Sequence, residues 1–517
     1  MKKIIIVILA TLINIQVVAG SNNTVYNVAD YRVAPDGITI VTKEIQQVID
    51  ECSGNGGGRV FFPAGKYLTG TLILKDNVYL EIGAGATILG SPDIRDYKRE
   101  TPYTIYGKQS KNIGIIGEGT LDGNGESFWK GKQRPYIRPK RFILFEECQD
   151  VKIKDVKIVN SPNWNIELLF CDYVWIDGVS IISSRESPNT DGIDPNSSAN
   201  VFITNCYIDT GDDAICPKSR RTRPTENVVV ENCILVSEDA GIKLGTRSET
   251  PIRNFVFNNI IIRNTQYGIA FFAKDGGTFE NIRFSNIMIE TVLDEELKDD
   301  KPSGSYAIFF DIEKRTSESP MSKIQDIYLS DITIKSTDGN CMILGQPDQK
   351  IENIYMSNIC YSQYKHKTFE NNKKPRGVRS LTERAANDYS NVPSNFTFAY
   401  VKNLNIDRLT VRDYDKSGKY ERHMILGKNV EEVTISGFKN YLATPNLEKA
   451  QMCFENSSGI KIMTSTSGKT NSPFLKLSGD KTSKVSLLYN DFIGLSEIVN
   501  TSEEVDRDEV YMNYNRK

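Results

Sequence analysis

Histidine is almost missing from this chain: His366 and His423 are the only two among 517 residues. With no CxxC pair and no histidine cluster, a zinc site has nothing to build on. Both histidines lie in polar, charged stretches that read as solvated surface. An excess of one charge is missing too. Lys and Arg number 63 against 66 Asp and Glu, a formal net charge of −3, which points to no nucleic-acid or membrane-surface partner. The nine cysteines are odd in number, so at least one stays unpaired in an oxidising compartment. Cys148, Cys171, Cys206, Cys233 and Cys360 sit in apolar, strand-like contexts where a free thiol acts as a small hydrophobe, and few or no disulfides are expected.

A membrane-spanning apolar run is also lacking. Lys2 and Lys3 precede an apolar stretch to Val18 and the small residues Ala19 and Gly20, the pattern of a signal peptide over 1–20. Asn14 and Gln16 interrupt the stretch, which falls short of the ~20 apolar residues a spanning helix needs. The expectation is an exported protein, periplasmic or secreted, with no integral membrane segment after cleavage. No cysteine follows the small residues, which argues against a lipid anchor.

What the chain does have is a repeat. "NVFITNCYI" from Asn200, "NVVVENCIL" from Asn227, "NFVFNNIII" from Asn254 and "NIRFSNIMI" from Asn281 follow one another at a constant 27-residue step. Related copies begin at Tyr173, Asp326 and Asn353, and weaker ones at Asn77, Asn112, Asp150 and Asn403. Short β-branched runs joined by Asn, Gly and Asp read as strands and turns, and a constant period makes each repeat one coil of a solenoid. The expected fold is all-β, a right-handed parallel β-helix forming a single domain over 21–517; a β-sandwich would not keep an invariant step. Asn205, Asn232, Asn259 and Asn286 are expected to form an inward ladder at one turn. The helical spacing of "TKEIQQVIDEC" from Thr42 suggests an N-terminal capping helix. Extra residues between Asn281 and Asp326, and between Asn353 and Asn403, become loops, either solvated surface or the wall of a binding cleft. If they close one end of a cleft, action on a polymer would be exo. From about residue 440 the pattern fades, leaving further coils or a separate cap.

Between Asn189 and Ile215 four aspartates fall in two clusters, Asp191 with Asp194 and Asp212 with Asp213. The 27-residue period stacks Asp212 on Asp239, and Asp191 falls on a neighbouring coil, so the clusters share one face within coils of about 150–290. Gathering carboxylates raises at least one pKa. Three readings fit: calcium binding, acid/base cleavage of a glycosidic bond, or Asx-rich turns that satisfy backbone groups.

"SPNTDGID" followed by "TGDDAI" resembles glycoside hydrolase family 28, the polygalacturonase family. "YNVADYRVAPDG", "GGGRVFFPAGKYLTGTLILKDNV", "IGIIGEGTLDGNG" and "NSPNWNIEL" also look like its bacterial members. The resemblance implies that Asp212 is the general acid and that Asp191 and Asp213 hold and deprotonate the attacking water. That is inverting hydrolysis, with acid and base ~6.5–9.5 Å apart. It also implies that Asn189 positions the site and that Lys218 matches a lysine common in bacterial relatives. Nothing in the sequence requires a metal or cofactor.

Two family motifs are altered. Ala240 falls where the GHG histidine belongs, and Ala270 and Phe272 stand at the Arg and Lys positions of RIK. In the family those basic residues engage the galacturonate carboxylate, so substrate recognition is expected to differ. Lys243, Arg247 and Lys274 are candidate replacements for binding a carboxylate or sulfate; Tyr267, Phe271 and Phe272 are candidates for stacking on a neutral or deoxy sugar. Asp194 joins the expected substrate-binding set, and Trp164 reads as core or cleft wall. The leading expectation is an exported inverting glycoside hydrolase acting on pectic polysaccharide or its oligosaccharides, galacturonan or rhamnogalacturonan-like. The alternatives are a hydrolase of neutral or sulfated galactan, a polysaccharide lyase, or a non-catalytic carbohydrate-binding β-helix.

Overall fold

The computed structural model describes residues 24–516 apart from 130–136, 221, 292–305, 337–340, 365–393, 415–421, 443–448 and 469. The proposed signal peptide and His366 therefore lie outside the described residues. Among the described residues, no helix is long and apolar enough to cross a membrane.

The chain winds as a right-handed parallel β-helix. One large sheet of 25 strands, here sheet A, runs along its length. Sheet B runs beside it in two parts of five and nine strands. Alternation along each strand sends one set of side chains inward, and the constant coil length stacks like on like. A single inward column holds Ile176, Ile203, Val230, Phe257, Phe284, Leu329, Met356 and Ile406 in register. Phe257 and Phe284 stack at 4.8 Å within it. Burying each such side chain contributes about 1.5–3 kcal/mol, which is why the core is continuous from coil to coil.

Each coil bends where an asparagine adopts a left-handed backbone. Asn200, Asn227, Asn254 and Asn281 have φ of 51 to 60°, and Asn205, Asn232, Asn259 and Asn286 of 52 to 56°. Asparagine tolerates this region better than most residues. Its amide then bonds the equivalent residue one coil away: Asn259 Nδ2 donates to Asn232 Oδ1 at 2.8 Å, and Asn286 Nδ2 to Asn259 Oδ1 at 3.1 Å. The ladder exists but runs along the outside. The expected inward course fails because the bend's positive φ turns the amides to solvent while the flanking residues fill the core.

The helix Thr42–Gly54 buries Ile45, Val48, Ile49 and Cys52 against the strands Gly58–Phe62 and Leu72–Leu74, covering the first coil. At the other end the coils continue instead of giving way to a separate cap. Sheet A carries on through Ser458–Met463, Ser483–Leu488 and Val510–Asn513.

Sheet A keeps register across both irregular gaps, pairing Ile282 with Ile327 and Ile354 with Leu404. The extra residues therefore leave between a sheet A strand and the next sheet B strand. Residues 292–305 and 365–393, which carry most of both insertions, lie outside the described set. The nine cysteines are free; eight are buried and Cys360 is half-buried. His423 is also buried, its Nδ1 2.6 Å from Ala450 O, because position 423 opens a sheet B strand. Burial first, then neighbouring lysines, pushes its pKa down to about 4. The reading of His423 as solvated surface is thus corrected.

Replacing Asn259 by Ala removes two ladder bonds and strains the left-handed bend, an expected loss of about 1–3 kcal/mol in denaturant unfolding. Asn259→Gly loses the same bonds but keeps the bend, so it is expected to cost less. Equal losses for the two variants would show that the backbone conformation contributes nothing.

Candidate active site

The two aspartate clusters meet through a slip in the repeat. In sheet A, Ile181 pairs with Ile208 and Val201 with Val228, each a full repeat apart. Between those points, Ile193 pairs with Ile215 and Asn196 with Lys218, each pair five residues short of a full repeat. The turn from Ile181 to Ile193 is five residues longer than that from Ile208 to Ile215, and the next turn returns the difference. Asp191 is therefore level with Asp213 on adjacent coils: Gly192 N donates to Asp213 O at 2.8 Å. The slip falls where sheet B divides, after the strand Ile193–Asn196 and before the strand Ala240–Thr246.

Close packing holds the second turn against the first. A Cβ on Gly211 would lie 2.5 Å from Ser187 O and 2.6 Å from Ser184 O, so only glycine fits. Thr210 Oγ1 and Ser237 Oγ each donate to Asp212 O at 2.7 Å. Asp212 is thereby set beside Asn189, whose Nδ2 donates to Asp212 Oδ2 at 3.3 Å. Arg138 fixes Asn189 in turn, donating to its Oδ1 at 3.0 Å and to the carbonyls of Pro162 and Pro188.

One oxygen from each of Asp191, Asp212 and Asp213 lies within 4.8 Å of the others. The slip contributes by stacking Asp191 directly on Asp213, one strand spacing away. Two lysines, Lys218 buried and Lys243 partly buried, meet the charge. Lys218 Nζ lies 3.1 Å from Asp191 Oδ2 and also contacts Asp194 Oδ1. Lys243 Nζ lies 2.6 Å from Asp213 Oδ2 and 3.9 Å from Asp239 Oδ2. Burial works against both ammoniums, yet the facing carboxylates, Asp194 foremost for Lys218 and Asp213 for Lys243, hold their pKa values well above the ordinary lysine value. Asp213 Oδ1 is enclosed and, among the described residues, accepts no hydrogen bond, a costly arrangement for structure alone.

Among the described residues, Asp212 has no lysine of its own. Burial, and after it the negative charges of Asp191 and Asp213, push its pKa up to about 7. Burial also raises Asp213, with Lys243 opposing, to about 6. Near neutrality Asp212 therefore retains a proton that it can donate.

The remaining candidates separate. Asp194 is fully buried and bound by Lys218, so it supports the cluster from beneath and does not face a ligand. Tyr267 and Phe272 do not offer open rings: Tyr267 stacks on Tyr306 at 5.6 Å and meets Phe272 edge-on at 5.6 Å, in an apolar cluster with Phe309, Met342 and Leu344. Phe271 faces the core. Lys274 is 2% exposed and ion-paired to Glu313 at 2.8 Å. Tyr267 and Phe272 are buried because the outer columns of sheet B beyond Asp213 are apolar and pack on themselves, Phe271 because it points inward, and Lys274 against Glu313. Trp164 forms a wall, held between the Arg141 guanidinium at 3.6 Å and the Lys218 ammonium at 4.3 Å. Sequence reasoning does not single out Arg138, Arg141 or Glu167. Glu167 stands one full repeat before Asp194 and pairs with it, the one signal that could have found it.

The profile of Glycosyl hydrolases family 28 matches residues 52–387. The chain belongs to that family. A "Probable polygalacturonase" of Vitis vinifera is 33% identical over 216 residues, 37% of this chain and 44% of that protein. An "Exo-poly-alpha-D-galacturonosidase" of Dickeya chrysanthemi is 29% identical over 256 residues, 37% of this chain and 41% of that protein. The chain thus spans less than half the length of these curated relatives. A solved exopolygalacturonase from Thermotoga maritima shares the fold, with a TM-score of 0.58, 24% identity and coverage of 66% of this chain and 87% of that one. A polygalacturonase from Erwinia carotovora ssp. carotovora also does, at TM-score 0.51, 22% identity and coverage of 64% and 90%.

The raised pKa of Asp212 has a signed consequence for stability. Between the ordinary value of 3.8 and about 7, the folded protein keeps a proton that the unfolded chain has released, so stability falls as pH rises through that window. Asp212→Asn stays neutral throughout. It is expected to melt higher than the parent at pH 8, with the gap closing by pH 4; a variant no more stable at pH 8 would remove the electrostatic cost from Asp212.

Proposed function

We propose that this family 28 chain is an exported inverting glycoside hydrolase of pectic polysaccharide, galacturonan or rhamnogalacturonan-like, or of its oligosaccharides. The observation that carries the reading is the division of labour in the cluster. Asp212 keeps its proton near neutrality, while Asp191 and Asp213 each face a lysine ammonium. The relatives' names support the substrate class, and the leader-like 1–20 supports export.

Asp212 donates its proton to the glycosidic oxygen as the C–O bond breaks. Asp191 and Asp213 take up the proton of a water that adds to the anomeric carbon from the opposite face. The nearest oxygens of Asp191, Asp212 and Asp213 lie within 4.8 Å of one another. Two oxygens that each accept from the same water at about 2.8 Å stand about 4.5 Å apart. Asp191 and Asp213 are spaced to bracket one water. Each also bonds a lysine, which weakens either as a direct nucleophile.

Reducing-sugar release is to be measured on homogalacturonan, rhamnogalacturonan, and neutral and sulfated galactans. Release is expected from the galacturonate-containing polymers, with Asp212→Asn lowering it by about 10²–10⁴-fold. Proton NMR of the first product is expected to show the inverted anomer. A retained anomer would make one of the paired aspartates a nucleophile, and no release on any polymer would favour a binding protein.

A further inference from the structure

Three cations stand as replacements for the altered recognition motif, and the structure commits two of them elsewhere: Lys243 to Asp213, and Lys274 to Glu313. Arg247 differs. Its side chain is half exposed, and its Nε lies 3.7 Å from Glu249 Oε1, beyond hydrogen-bond length. It lines a pocket of about 320 Å³ with Phe170, Arg220, Thr222 and Glu249, a volume within the usual range for ligand sites.

All five residues leave sheet B at the same edge, on the first, third and fourth of four consecutive coils. Phe170 follows the strand Ile166–Leu169 and Arg247 follows the strand Ala240–Thr246. Arg220 and Thr222 belong to the turn that is lengthened when the register slip is undone. The pocket opens across the sheet from the aspartates, with Arg220 seven residues after Asp213. At about 3.3 Å per residue that is no more than about 23 Å, within the span of an oligosaccharide.

Its chemistry is that of an acidic sugar. Arg220 Nη2 reaches Glu167 Oε1 at 3.3 Å, but Glu167 Oε2 is taken by Arg141 Nε at 2.6 Å. Two guanidiniums thus share one buried carboxylate, leaving positive charge at the pocket. Phe170 supplies an apolar face, Glu249 and Thr222 can bond hydroxyls, and the guanidiniums suit a planar carboxylate or a sulfate.

We propose that this pocket is a subsite for an anionic sugar, carrying a carboxylate or a sulfate ester, removed from the scissile bond and taking over the recognition lost at Ala270 and Phe272. The proposal rests on the carbohydrate reading given above. Calorimetry on Asp212→Asn, which does not consume its ligand, is the test, using galacturonate oligomers of two to six units, sulfated galactan oligomers of matched length, and neutral galactan oligomers. Adding Arg247→Ala is expected to weaken binding of the longer anionic oligomers about 10-fold or more, leaving dimers and neutral oligomers unchanged. Whichever anionic series loses affinity names the group. Arg247→Lys is expected to recover part of the loss, and Thr222→Trp, which fills the pocket from its exposed rim, to reproduce it. Melting curves check that each variant folds. Unchanged affinity for every anionic oligomer, equal losses on neutral ones, or no anionic binding by Asp212→Asn would overturn the subsite. A parent that hydrolyses nothing while Arg247→Ala still weakens anionic binding would leave the subsite standing and sink the hydrolase reading; hydrolysis with no Arg247 effect would do the reverse.

Discussion

The five-residue slip between Ile193 and Ile215 is the constraint on which the site depends. A solenoid with a strict 27-residue step would leave Asp191 displaced along its rung from Asp213. Lengthening one turn and shortening its successor makes the two level, at one strand spacing. The core does not register the change, because sheet A keeps its full-repeat pairing on either side. Stability and function are thus written on different parts of the same coil: the bends and inward columns hold the repeat, and the turns are left to carry chemistry.

Bringing three carboxylates within 4.8 Å is tolerable only because charge is supplied unevenly. Lys218 and Lys243 neutralise the outer members of the cluster, and Asp212 is the one left to hold a proton. Had a third cation faced Asp212, the cluster would be more comfortable and the acid would be lost. Asn189, held by Arg138, bonds Asp212 with a neutral amide, which fixes its position without driving ionisation as a cation would. Asp194, buried beneath Lys218, extends this scheme by keeping the lysine charged in surroundings that would otherwise strip its proton.

Much of this is legible in the sequence because a repeat reports its own stacking. The period names the fold, the coils and the shared face of the aspartates, and the family motifs name Asn189, Asp191, Asp212 and Asp213 as a group. Burial direction is harder to read. The apolar neighbours of the asparagine ladder suggest an inward course, whereas a left-handed bend turns the side chain out. Tyr267, Phe272 and Lys274 look like surface because strands alternate, but columns on the outer face of sheet B pack on one another along the solenoid. Arg138 belongs to a coil whose turn breaks the repeat, where stacking arithmetic has no purchase, whereas Glu167 lies one full repeat before Asp194 and is within its reach.

The slip also bears on recognition. Residues removed from the turn before Ile215 reappear after Lys218, and it is there that Arg220 and Thr222 extend the far edge of sheet B. The change of register that assembles the aspartates therefore also builds the wall facing them across the sheet. On the coils that follow Asp213, Ala240, Ala270 and Phe272 belong to an apolar cluster, and Lys274 is buried on Glu313. On its own coil and those before it, Arg138, Arg141, Lys218 and Arg220 gather around Asn189, Trp164 and Glu167. Charge therefore crowds the first group of coils, while on the coil after Asp213 Lys243 and Arg247 stand beside the apolar cluster.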